Sequence, residues 1–219
     1  MHRLLRVVKV PCEKRRFGNP YRDGGYAVCV LPNGYDFFLT MGIGGDDSFE
    51  VAISRFYWGR LPGHAYDDQR TSLPNACPGI DFTQMAVGAN LPTLLPPGAV
   101  NILLKCDIEG AEYTAFAAMS SDDMRRLRQV IIEFHEADLP EHRALMSRFL
   151  ETHYLAHVHA NNSCTCVIID GCKFPPTVEC TYVRKGDLPS ITGELDTSPI
   201  PHPGLDVPNL QEKSDITLP

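Results

Sequence analysis

The chain has no run approaching the roughly 18 uninterrupted apolar residues that a membrane helix needs, so no helical span is expected. It also lacks an excess of positive charge. Its 20 Lys and Arg stand against 27 Asp and Glu, for a net charge of −7, and the basic residues scatter rather than form a stripe. A nucleic-acid backbone is therefore not expected as the main partner. The first sixteen residues lack the continuous apolar run and small-residue cleavage site of a secretory signal, and read as a mature cytoplasmic start. Paired Cys-x-x-Cys knuckles are missing too: Cys164 and Cys166 are followed by wider gaps to Cys172 and Cys180, which argues against structural zinc. Of the eight cysteines, Cys29 and Cys106 lie inside apolar runs, so buried free thiols are expected rather than a disulfide framework.

What is present suits one catalytic domain with a tail, since 219 residues can enclose one sizeable core. After an opening segment over residues 1–26, short apolar runs alternate with stretches of helical period across residues 27–186. That alternation predicts a Rossmann-like α/β fold, a mostly parallel sheet between layers of helices. Strands are expected over 35–41, 63–66, 82–87, 101–107 and 129–134, and helices over 48–56, 112–119 and 141–153. Two final strands, 154–159 and 177–184, follow one another without a helix, which implies an antiparallel pair closing the sheet. Residues 187–219 are rich in Pro, Ser, Thr and Asp, so a disordered or loosely attached tail is expected there.

Four clusters carry chemistry. The strand over 35–41 runs into Gly42-Ile43-Gly44-Gly45 and then a helix, a turn whose glycines let a ligand approach the helix N-terminus. The second strand ends in Asp67 and Asp68, and a carboxylate there suits ribose hydroxyls; Asp67 is the first choice. The strand over 101–107 delivers Asp107 and then Glu109, which can bind a cation, deprotonate a hydroxyl or face a positively charged cofactor. The next strands end in Glu133-Phe134-His135 and in His157-Val158-His159, placing histidines near the same sheet edge, where they suit general-base work or metal ligation.

In this order the pieces Arg22-Asp23-Gly24-Gly25-Tyr26, Gly42 to Glu50, Leu104 to Glu112, Ile131 to His135 and Glu179 to Lys185 resemble the FkbM-like class I methyltransferases and related methyltransferase-like domains. The resemblance implies a three-layer sandwich with a seven-stranded sheet, its last strand reversed, and S-adenosyl-L-methionine as cofactor. By that likeness Gly42, Gly44 and Gly45 approach its methionine part, Asp67 its ribose, and Asp107 the sulfonium and acceptor. O-methylation of a hydroxyl on a sugar or other small-molecule or glycan acceptor follows as the implied reaction. For proton removal His135 is the leading base, with Asp107 or His159 as competitors; a divalent cation held by Asp107, Glu133 and His135 is the alternative. Two rival readings remain open, a nicotinamide-dependent oxidoreductase and a metal-binding interaction module. The first is weakened by a turn shorter than Gly-x-Gly-x-x-Gly. Cys164, Cys166 and Cys172 map onto nothing in the family.

Overall fold

A computed structural model of the chain describes residues 1–188, 191 and 193–218. The apolar runs become strands, in chain order β1 (Glu13–Gly18), β2 (Gly25–Val30), β3 (Phe37–Met41), β4 (Gly63–Asp67), β5 (Ile80–Gln84), β6 (Ile102–Cys106), β7 (Leu127–Phe134), β8 (His153–Ala160), β9 (Val167–Ile169), β10 (Cys172–Phe174) and β11 (Val178–Arg184). Helices α1 (Ser48–Phe56), α2 (Leu91–Leu94), α3 (Glu112–Ala117), α4 (Ser121–Arg126) and α5 (Pro140–Thr152) connect them. Seven strands form one sheet in the order β5-β4-β3-β6-β7-β11-β8. All pairs are parallel except those of β11, which runs antiparallel to both β7 and β8. This is a Rossmann-like α/β fold. The reversed strand does not close an edge: it inserts between its neighbours, and six of its seven residues are buried.

Alternate side chains of the central strands point to opposite faces, and both faces are covered, as a parallel sheet requires. Leu39, Leu104, Val130 and Ile132 pack on the face that receives Phe116, Met146 and Phe149 from α3 and α5. Phe38, Leu103 and Ile131 pack on the other, against Phe49 and Ile53 of α1 and Tyr26 and Val28 of β2. Each such side chain contributes about 1.5–3 kcal/mol on burial. The opening segment is thus not a mere lead-in: β1 and β2 form a hairpin that covers part of the sheet. It is tied there by Gln129, whose side chain accepts from Cys29 N–H at 2.8 Å and donates to its carbonyl at 3.1 Å, and by Thr181, whose hydroxyl donates to Ala27 O at 2.6 Å.

The tail departs from expectation in the same way. Instead of hanging loose, Leu195 bridges Val8, Ile200 bridges Leu218, and Ile200, Leu205 and Leu218 are buried. Its acids supply the anchors: Asp196 meets Lys14 at 3.0 Å, Asp206 meets His157 at 2.7 Å and Asp215 meets His159 at 3.1 Å. Composition flags such a segment as unable to build a core of its own; it does not show that β8 presents two buried histidines for its acids. All eight thiols are unpaired, with Cys29, Cys77, Cys106 and Cys180 buried. Among the described residues no helix is long and apolar enough to cross a membrane.

Candidate functional site

At the carboxyl ends of β3, β4 and β6 the loops part around a cleft of about 730 Å³. Strand order reverses beside β3, and such a switch point leaves a crevice that connecting segments do not fill. Gly42 follows β3 with φ +75°, and a Cβ there would lie 1.5 Å from the Asp107 carbonyl oxygen, so no other residue fits. Gly44 is also left-handed, at φ +58°, but nothing lies within 4 Å of its Cβ position. The first glycine lets two loops touch; the second leaves room in the cleft.

Asp67 clamps this turn. Its Oδ2 accepts from the N–H groups of Ile43 at 2.8 Å and Gly44 at 2.9 Å, and its Oδ1 from those of Gln69 and Arg70 at 2.8 and 2.9 Å. Burial would raise its pKa, but these four donors hold it below the usual value. A carboxylate offers about four lone-pair sites, so Asp67 is saturated by backbone. Asp67, the acid expected at a ribose, thus has its oxygens engaged by the turn itself, whereas the neighbouring Asp68 also lines the cleft and is exposed.

Asp107 follows β6 and lines the cleft. Tyr26 donates its hydroxyl to Asp107 Oδ2 at 2.9 Å, and Lys105 Nζ stands 3.8 Å from the same oxygen. Lys105 also donates to the Gly42 carbonyl and lies over the Tyr26 ring. Although burial opposes charge on Lys105, the Asp107 and Glu50 carboxylates raise its pKa, so it stays a cation. Glu50 of α1 is buried beside it and accepts from the Thr40 hydroxyl at 2.6 Å; burial raises its pKa. Among the described residues no protein donor reaches Asp107 Oδ1.

His135 comes close to this group without forming part of the cleft wall. Its Nδ1 lies 3.0 Å from Glu112 Oε1, and its Nε2 lies 3.3 Å from Glu109 Oε2, which does line the cleft. Burial lowers the His135 pKa, but Glu112, Asp107 and Glu109 together raise it above the ordinary value. The same Glu112 oxygen accepts from the N–H groups of Ile108 and Gly110, bracing a turn in which Glu109 is left-handed at φ +55°. The leading base of the sequence reading is thus set back from the cleft, while Asp107 faces it.

His159 is further removed from that role. It is buried, with Nδ1 3.2 Å from Glu179 and Nε2 3.1 Å from both oxygens of Asp215. Burial disfavours its charge, but Glu179, Asp215 and Asp206 push its pKa up to about 11. Held between these carboxylates, His159 pins the tail and stands away from the cleft lining. Glu133 is also buried and is held by Asn161 Nδ2 at 2.7 Å. Burial, with Asp107, Glu179 and Asp23 nearby, pushes its pKa well up. The expected trio Asp107, Glu133 and His135 does not form one group: Asp107 and His135 gather with Glu109, whereas Glu133 gathers with Asp23 and Glu179. His135 Nε2 still lies 3.9 Å from Glu133 Oε1, while the inserted β11 sets Glu179 directly opposite Glu133.

Several cleft residues carried no assigned role in the sequence. Met85, Ala86 and Val87 follow β5 and form an apolar wall, and Asn209 and Leu210 come from the tail. Tyr26 and Lys105 carried a signal, a polar side chain inside an otherwise apolar strand.

The chain matches no protein-family profile and no curated protein. Among solved structures it is similar to VP4 of bluetongue virus, described as a multifunctional RNA-capping production line, at 14% identity and a TM-score of 0.33. The match covers 62% of this chain and 26% of VP4.

Proposed function

We propose that the protein is an S-adenosylmethionine-dependent methyltransferase of the FkbM-like kind, acting on a hydroxyl oxygen of a sugar or another small-molecule or glycan acceptor. The observation that carries this reading is one cleft holding both a glycine with open space at its Cβ position, Gly44, and a carboxylate with a free oxygen, Asp107. The lining fits the cofactor part by part. Its volume lies within the range of small-molecule pockets, Asp68 suits a ribose, Met85 and Val87 suit a flat base, and Asp107 and Glu109 suit a cationic sulfonium.

When bound, the cofactor supplies a methyl group already activated by the sulfonium. The protein's own residues then align the acceptor oxygen and take its proton. Asp107 Oδ1 accepts that proton, while Tyr26 and Lys105 hold Oδ2 and so fix the plane of the carboxylate. His135 and Glu112 act as positioning residues for the Glu109 turn.

Isothermal titration with S-adenosylmethionine and with its demethylated product tests the reading. Heat is expected for both. A folded sample that binds neither, or that binds a nicotinamide dinucleotide instead, overturns it. Asp107→Ala should keep the fold and lower methyl transfer about 100-fold or more, in line with losing a general base.

A further inference from the structure

Beside the cleft, three carboxylates from distant segments meet. One oxygen each of Asp23, Glu133 and Glu179 lies within 4.8 Å of the others. Asp23 lines the cleft; Glu133 and Glu179 are buried beneath, on neighbouring strands. Three close carboxylates alone would favour protonation over any ligand. A fourth group points further.

Asn209 is 7% exposed and reaches in from the tail. Its Nδ2 donates to Glu179 Oε1 at 2.6 Å and to Asp23 Oδ1 at 3.1 Å, while its Oδ1 is buried without any partner. A half-turn of the amide exchanges nitrogen and oxygen. It would set the carbonyl oxygen 2.6 and 3.1 Å from two carboxylate oxygens. Bare oxygens repel at that spacing, but oxygens sharing one cation at 2.1–2.4 Å are about 3 Å apart. Outer partners already aim the carboxylates, as at metal sites generally: Asn161 holds Glu133 at 2.7 Å and His159 holds Glu179 at 3.2 Å.

The geometry points to a binding site for a hard divalent cation, Mg²⁺, Mn²⁺ or Ca²⁺, formed by Asp23, Glu133, Glu179 and the side-chain carbonyl of Asn209. All four ligands are oxygen, which selects against zinc and copper. Because Asp23 and Asn209 also line the cleft, a cation there borders it and suits a ligand with oxygen atoms to offer. The site stands independently of the methyl-transfer reading.

Calorimetric titration of the full chain with each metal chloride alone, without cofactor, tests it. Binding is expected at micromolar to millimolar affinity, and Glu133→Gln and Asp23→Asn should each weaken it at least tenfold. Asp23 is exposed, so its variant keeps the test open if Glu133→Gln does not fold. Glu109→Gln should change affinity less than twofold. No binding to a folded sample up to about 10 mM, beyond the weak end of natural calcium sites, overturns the proposal. So does binding that Asp23→Asn leaves unchanged, or that Glu109→Gln abolishes. Retained cofactor binding in a chain that fails this titration would leave the methyltransferase reading intact.

Discussion

The glycine end of the cleft and the carboxylate cluster beside it are built in opposite ways. The glycine end comes from one short stretch, Gly42 to Gly45, clamped by Asp67 through backbone donors. The carboxylate cluster is assembled from four segments far apart in the chain, at Asp23, Glu133, Glu179 and Asn209. A site made from contiguous backbone depends on conformations that few residues can adopt. A site made from distant side chains depends on strand order and on where the tail lies.

The contrast is sharpest at Gly42. Gly42→Ala would place a methyl 1.5 Å from the Asp107 carbonyl and should cost about 4 kcal/mol or more, or prevent folding, as read by urea denaturation. Gly44→Ala meets no atom within 4 Å and should cost about 1–2 kcal/mol from its left-handed backbone, with a larger loss in cofactor binding. Equal effects of the two changes would break the comparison.

The two neighbouring acids should separate next. Asp67→Ala strands the N–H groups of Ile43 and Gly44 and should destabilise by about 2–3 kcal/mol. Asp68→Ala should leave the melting temperature nearly unchanged and weaken cofactor binding. The reverse outcome would return the ribose to Asp67.

A pH dependence belongs to the carboxylate cluster. His159 has its pKa raised from 6.5 to about 11, so its charge adds stability that is fully present below pH 6.5 and is lost as pH rises through about 11. In metal-free buffer, the stability difference between the natural chain and His159→Gln should shrink as pH rises from 6.5 towards about 11. A constant difference would mean that the ion pairs with Glu179 and Asp215 do not anchor the tail.

Much of the frame was legible because buried parallel strands leave continuous apolar runs. The strand ending in Lys105-Cys106-Asp107 and the turn at Gly42 lie where the sequence places them, and so does the helix from about residue 141. The β1–β2 hairpin was less legible, since its cover of the sheet depends on Gln129 meeting Cys29 across a hundred residues. The histidines misled for a related reason. Residue type shows that His135 and His159 can titrate, but their carboxylate neighbours set them apart: one braces a turn, and the other is fixed as a cation.

By itself the sequence determined the alternation of strands and helices, the glycine turn and the carboxylates at the strand ends. These follow from side-chain period, from the left-handed backbone at Gly42 and Gly44, and from chain order. Tertiary structure alone decided which carboxylates meet, because inserting β11 beside β7 sets Glu179 opposite Glu133 and docking the tail on β8 brings in Asn209. Local periodicity carries no information about the partner a strand chooses or where a tail's acids find a buried charge. The carboxylate cluster beside the cleft is written in those long-range contacts.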